Sequence, residues 1–335
     1  MKGYAFRNPP GIVNIKMSEF SDCGHPLEGE VRVRIRASSL NGHDLNVVRG
    51  ILPVSEGRIL LTDGAGTVEE VGPGVGEFEV GDSVISTFFP DWIQETAPAP
   101  GFARTPGDGL DGYAVEQVVR HQNFFTRAPE GWSFAEAATL PTAGLTAWRA
   151  LVIEGNLSAG QHVLVLGTGG VSILALQIAK AMRSRVTVTS ASDEKLEQAA
   201  RLGADHVVNY RKRENWAQHV LEVTEGRGVD LTLETGGAGT LPQSIQATRV
   251  GGRIILIGVV TGTTRTIPTA ALMGKQQQLR GIMVGSRPAQ IEMVRSLRKL
   301  GIRPYIGRSF AFNQLREAME YQDSRQHVGK VAITY

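Results

Sequence analysis

One cysteine in 335 residues, Cys23, excludes an internal disulfide and every zinc cage built from several cysteines. Long apolar runs are also missing. The strongest, Ile254–Val260, falls far short of the roughly 20 residues that a membrane-spanning helix needs, and Met1–Met17 lacks the continuous apolar segment of a secretion signal. Neither charge sign is in excess: 35 Lys and Arg against 33 Asp and Glu leave a formal +2, with the signs interspersed. The basic residues form no long patch interleaved with aromatics, which speaks against nucleic acid and against an anionic membrane as partners. These absences predict a cytoplasmic protein with an ordinary soluble surface. The length exceeds what a single core usually serves, so two domains are expected.

What is present divides at Ser133. Before it, Gly29–Ser39 reads GEVRVRIRASS, with Val31, Val33 and Ile35 on one face of an antiparallel strand. Asp63–Val84 carries glycines at 64, 66, 72, 74, 76 and 81, which break any helix and punctuate short strands, as in a compact barrel-like β domain. Thr87–Leu110, rich in Pro and Gly, reads as an ordered loop over a cleft; its Phe88, Phe89 and Trp92 either fill a crevice or meet substrate.

After it, Ser133 with Glu136 forms a capping box for a helix over Phe134–Leu140, and a second helical stretch covers Gly144–Ile153. Strands at His162–Leu166, Val186–Thr189, His206–Asn209, Val229–Glu234 and Arg253–Gly258 then alternate with helices at Val171–Ala181, Asp193–Leu202, Trp216–Thr224 and Pro242–Thr248. Leu279–Val284 would add a last strand. Alternation of this length specifies a doubly wound parallel sheet. The tail, with helices at Ala289–Leu300 and Phe312–Ser324 and extended stretches at Pro304–Phe310 and Lys330–Thr334, would pack back on the first domain. Residues 1–130 completed by 286–335 are thus expected as one domain, and 131–285 as the other.

The densest chemical signal is HVLVLGTGGVSILALQIAK at His162–Lys180. Gly167 permits a tight turn after the strand, and Gly169 and Gly170 let backbone approach a pyrophosphate at a helix N-terminus. Ser172 replaces the third glycine of the dinucleotide fingerprint and is small enough to keep helix and strand close. At the end of the next strand, where an NAD site usually has a carboxylate for the ribose, stand Thr189, Ser190, Ala191 and Ser192. Hydroxyls there suit a 2′-phosphate, with Lys195 and Arg211 nearby to supply charge, although Lys195 also reads as a solvated helix residue. Asp193 is expected to cap the following helix. NADPH is favoured over NADH.

Together with SLNGHD at 39–44, LTDGAGTVEEVG at 61–72, GDSV at 81–84, LPTAGLTAW at 140–148 and LGADHVVNY at 202–210, these residues resemble the medium-chain dehydrogenase/reductase superfamily along essentially the whole chain. Within it the chain is similar to the zinc-independent alcohol dehydrogenase and quinone oxidoreductase branch. The resemblance implies an α/β Rossmann domain inserted into a GroES-like, partly barrel-shaped β domain, a homodimer, and reduction of carbonyls, quinones or enones by NADPH in an interdomain cleft. It places Asn41, Thr62 and Thr142 at the three catalytic zinc-ligand positions of the zinc enzymes, and Asp63 beside Thr62; neutral amide and hydroxyl oxygens are poor replacements for thiolate and imidazole, so no bound zinc is implied.

His43 stands where zinc alcohol dehydrogenases often carry a relay hydroxyl, and would donate a proton or hydrogen bond, or merely anchor its loop. Asn41 and Thr142 would meet a substrate carbonyl, and Tyr113 is a further pocket phenol. For the cofactor, the resemblance assigns Thr168, Gly169, Gly170 and Val171 to the pyrophosphate turn and Ser190, Lys195 and Tyr210 to the 2′-phosphate. Gly258, Val259, Val284, Gly285 and Ser286 are assigned to the nicotinamide side, together with Thr146 unless that residue only packs. Two other readings stay open: an NAD(H)-using zinc-independent alcohol dehydrogenase, and a noncatalytic NADPH-binding protein.

Overall fold

The alternating segment is strand β1 (Glu30–Ser39) in the computed structural model, which describes residues 1–335. Val31, Val33 and Ile35 are buried and the arginines between them face outward. A one-residue slip would turn all three outward and forfeit about 1.5–3 kcal/mol for each, which fixes the register. One side of β1 pairs with β2 (Ala65–Val71), which continues to β3 (Ser83–Ser86); the other side is shared by β4 (Gln117–His121) and a strand from the chain's tail. A Cβ at Gly66 of β2 would lie 2.1 Å from the Arg34 carbonyl oxygen, so only glycine lets these strands approach. β5 (Phe125–Arg127) closes the far edge against β3. Helix α1 (Gly42–Val48) follows β1 directly, and the expected capping box starts α2 (Phe134–Ala137), with the Glu136 carboxylate accepting from Ser133 N–H at 2.8 Å. α2 stops at Ala137, short of the expected Leu140. Pro141 lacks the N–H that would bond back to that residue, and the chain passes into a π-helical turn over Leu140–Gly144.

Thr146–Met283 form a second unit, and Met1–Leu145 with Val284–Tyr335 the first. The second unit is a six-stranded parallel sheet: β6 (His162–Leu166), β7 (Arg185–Ser190), β8 (His206–Asn209), β9 (Val229–Glu234), β10 (Thr248–Leu256) and β11 (Gln278–Gly281). Its spatial order is β8-β7-β6-β9-β10-β11, with the reversal between β6 and β9. Helices α3 (Gly170–Ala181), α4 (Asp193–Arg201), α5 (Trp216–Val223) and α6 (Leu241–Ala247) cover it. Trp216, Ala217 and Val220 of α5 pack against Leu164, Leu166, Val208 and Val229. The last strand ends at Gly281 rather than Val284, because Val284 has φ 40°, outside the extended region.

The tail returns to the first unit through α7 (Arg287–Leu300), β12 (Ile306–Ala311), α8 (Leu315–Asp323) and β13 (Lys330–Thr334). β13 pairs antiparallel with β1, Ile333 opposite Ser38, and Gln290 of α7 donates to the Ser86 carbonyl at 2.8 Å. No helix is long and apolar enough to cross a membrane.

Candidate active site

In the first unit the sequence-selected polar residues converge on two buried carboxylates. Asp63 accepts at Oδ2 from Ser39 Oγ (2.7 Å) and Asn41 Nδ2 (2.8 Å), and at Oδ1 from Thr142 Oγ1 (2.6 Å). Asp44 accepts at Oδ1 from the backbone N–H and the hydroxyl of Thr62, both at 2.9 Å, and at Oδ2 from Asn41 N–H at 2.7 Å. Burial, reinforced by the neighbouring Asp63 charge, raises the Asp44 carboxyl above the usual range. The balancing cation is Lys330, on β13. Its ammonium donates to the Leu40 carbonyl (2.7 Å) and to Asn41 Oδ1 (2.6 Å), and lies 3.7 Å from Asp63. Burial pulls its pKa down while both carboxylates push it back up. Lys330 is 2% exposed and escaped the sequence reading, since one lysine in an apolar strand carries no local signal.

These bonds decide what each side chain has left to offer. The orientation of the Asn41 amide is forced, because an ammonium needs its oxygen and a carboxylate its nitrogen. One Nδ2 hydrogen remains. Thr142 and Thr62 each have a single hydroxyl hydrogen, already given to Asp63 and Asp44. Asn41 therefore keeps one amide hydrogen to donate, while the third hydrogen of the Lys330 ammonium is directed by the Asp63 charge 3.7 Å away.

His43, two residues further, places Nε2 3.3 Å from the Asp108 carboxylate, both side chains being largely sunk at 14% and 12% exposure. Its ring packs edge-on to Phe88 (5.4 Å) and tilted against Phe102 (5.5 Å). Phe88, Phe89 and Trp92 are buried among one another, so they fill the crevice; Phe102, at 38% exposure, is the open face of the cluster. Tyr113 is wholly buried, its pKa raised by burial and its hydroxyl without a hydrogen-bond partner.

In the second unit, Gly167 takes φ 77° after β6, a left-handed turn that suits glycine, and Gly169 is the N-cap of α3. No side chain caps α3, and a Cβ on Gly169 would meet nothing within 4 Å. First-turn N–H groups with open space before them, including those of Gly170 and Val171, suit a pyrophosphate. Thr168 is buried in the turn. Ser172 donates its hydroxyl to the Leu166 carbonyl at 2.7 Å, tying helix to strand where the third glycine would sit. Beside it, the buried Glu234 at the end of β9 accepts from Gly236 N–H (2.8 Å), Gly237 N–H (2.9 Å), Thr240 Oγ1 (2.6 Å) and Ser244 Oγ (2.5 Å). It shapes the loop after β9 and was not singled out in the sequence.

Ser190 ends β7 buried, and its carbonyl accepts from Tyr210 N–H at 3.0 Å, which sets the half-exposed Tyr210 beside it. Asp193 does not cap α4. Ser192 does, its hydroxyl accepting from Lys195 N–H at 3.4 Å, because Asp193 is already inside the first turn with its carboxylate held by Asn209 (2.7 Å) and Lys212 (2.5 Å). Lys195 is half-buried and its pKa is lowered by burial. Gly258 N–H reaches the Glu234 carbonyl at 3.3 Å, Val259 is 52% exposed, and Thr146 is buried. In the first unit, Val284, Gly285 and Ser286 lead into α7, where Ser286 is the N-cap and also donates to Glu95.

Residues 27–146 match the alcohol dehydrogenase GroES-like domain, and residues 170–299 match the family described as zinc-binding dehydrogenase. A zinc-type alcohol dehydrogenase-like protein of Schizosaccharomyces pombe is 42% identical over 331 residues, which cover 96% of each chain. An alcohol dehydrogenase of Geobacillus stearothermophilus is 34% identical over 245 residues, 69% of this chain and 70% of that one. The crystal structure of an NAD-dependent alcohol dehydrogenase superposes with a TM-score of 0.91 at 30% identity, covering 100% of both chains. The chain belongs to the medium-chain dehydrogenase/reductase superfamily of NAD(P)H-dependent oxidoreductases.

The zinc named for one of these families does not fit the side chains present. No group of three or more His, Cys, Asp or Glu is placed to hold a metal ion. Around Asp63 the Asn41 oxygen is taken by an ammonium and the threonine hydroxyls are committed to carboxylates, so a divalent cation there would find its neutral oxygens engaged and a positive charge already beside the carboxylate.

Proposed function

We propose that this protein is a zinc-independent reductase that transfers hydride from NADPH to a small electrophilic carbonyl, enone or quinone. The observation that carries the reading is the cluster at Asp63, where the Asn41 amide and the Thr62 and Thr142 hydroxyls, which the resemblance aligns with zinc ligands, are all engaged by buried charged groups. When bound, NADPH supplies the hydride from C4 of its nicotinamide. The spare Nδ2 hydrogen of Asn41 is the group that would meet negative charge developing on the acceptor oxygen, in a setting where a fixed donor is worth far more than in water. His43 would return a proton to that oxygen, with solvent water as the other source. A conjugated acceptor suits such a site because it spreads the developing charge without a Lewis acid.

NADPH is supported by the corner of Ser190, Lys195 and Tyr210, and by the Asp193 carboxylate being held by Lys212 and Asn209. Ser190→Asp should weaken NADPH binding at least about tenfold more than NADH binding, by like-charge repulsion at a buried position. Calorimetric titration with both cofactors checks it, and equal losses would remove Ser190 from the phosphate site. The similarity to an NAD-dependent alcohol dehydrogenase favours the second reading, NAD(H)-linked alcohol oxidation. Turnover measured with each cofactor against a panel of quinones, enones, aldehydes and alcohols separates the two; tight NADPH binding with no turnover across the panel would instead indicate a noncatalytic protein. The same reading expects a homodimer, for which sedimentation is the check.

A further inference from the structure

We propose that Lys330 is a positioning residue for Asn41: its buried ammonium seizes the amide oxygen and so fixes the remaining amide hydrogen for the acceptor oxygen. The starting observation is a buried ammonium set on the side-chain oxygen of a helix-capping asparagine. Asn41 is the N-cap of α1, a position asparagine favours because its side-chain oxygen accepts from the first-turn N–H groups. Here that oxygen also accepts from Lys330 at 2.6 Å, alongside the box in which Asn41 N–H donates to Asp44 Oδ2 at 2.7 Å.

The lysine is built for one pose. Its Nζ gives one hydrogen to the Leu40 carbonyl and one to Asn41, faces Asp63 at 3.7 Å, and is shielded from water. The Asp63 carboxylate then fixes the nitrogen end of the amide at 2.8 Å. A cation and an anion grip the two ends of one amide, which can no longer rotate to exchange oxygen for nitrogen. In a family that matches a zinc-binding description, the positive charge at this carboxylate is thus supplied by a side chain of β13. The inference rests on the reductase reading only for what the freed hydrogen does.

Full-length Lys330→Met and Lys330→Arg proteins provide the test, with kcat, substrate KM, NADPH Kd and folded fraction measured for each. Lys330→Met should lower kcat per folded molecule by about 100-fold, the scale set by losing one preorganised donor, while NADPH Kd stays within about threefold. Lys330→Arg, which keeps the charge, should recover part of that loss. A wild-type kcat in folded Lys330→Met, or a loss explained entirely by folded fraction, overturns the proposal. Should Lys330→Met fail to fold, the wild-type protein decides: labelled on lysine nitrogen, it should show one protonated Nζ resonance in slow exchange with water and a contact to the Asn41 amide. No such resonance overturns the proposal. Wild-type protein that shows this contact but reduces no acceptor sinks the reductase reading and leaves the Lys330–Asn41 grip standing.

Discussion

The imidazole of His43 faces the Asp108 carboxylate at 3.3 Å, with the buried Asp44 carboxyl also within electrostatic reach and aromatic rings on two sides, so its freedom to reorient is small. Asp108→Asn keeps the shape and removes the charge that would stabilise an imidazolium. It should lower turnover at saturating acceptor by about tenfold, and His43→Gln by about 100-fold, the lower end of what a proton donor contributes. If the two act as a unit, the double variant should be no slower than His43→Gln alone, and NADPH affinity should be unchanged in all three. Additive losses would separate the pair, and unaltered turnover in His43→Gln would remove His43 from the mechanism. Half of this arrangement was legible in the sequence. Asn41 and His43 sit in a compact motif at the start of α1, whereas Asp108 lies in a Pro- and Gly-rich loop with no periodicity, and Lys330 reaches Asn41 from β13, at the other end of the chain. Contacts formed only by the tertiary fold leave no spacing to read.

At the scale of elements, the turn after β9 depends on Glu234, whose carboxylate satisfies two glycine N–H groups and two hydroxyls. Glu234→Ala would strand three buried donors, the Thr240 hydroxyl keeping the Gly237 carbonyl at 3.2 Å, and the expected loss is about 3 kcal/mol, read as a lower denaturant midpoint for the second unit. An unchanged midpoint would mean that water replaces the carboxylate freely. The strands here were the most legible part of the chain. His162–Leu166, His206–Asn209 and Val229–Glu234 carry the expected bounds; His162–Leu166, buried throughout, leaves an uninterrupted apolar run, and the other two are marked by β-branched residues and leucines set between helices. Misreadings fell where one residue's backbone chemistry overrides the pattern: Pro141 ending a helix early, Val284 turning to positive φ, and Ser192 taking the cap from Asp193.

For the molecule as a whole, the second unit carries a pH liability in its buried histidine. Burial, helped by the stacked His206, lowers the His162 pKa from 6.5 to about 4, while its Nε2 pairs with Thr187 Oγ1 at 2.8 Å. The folded pKa lies below the unfolded one, so the neutral ring costs nothing above pH 6.5. As pH falls from there toward 4 the unfolded chain takes up a proton that the folded chain refuses, and stability drops by at most about 3 kcal/mol. His162→Gln keeps a hydrogen bond without the titration and should flatten urea midpoints over that window relative to wild type. Parallel profiles would show that other groups set the acid sensitivity.

The proposed reaction sends hydride from a nicotinamide to a substrate held by an amide and an imidazole, with no metal ion taking part. Its most direct test is NADPH oxidation by an enone or quinone, followed optically on protein stripped by a chelator and assayed for zinc. The expected result is substrate-dependent oxidation at the untreated rate with no zinc bound. Activity that disappears with the metal and returns when zinc is added back would contradict it.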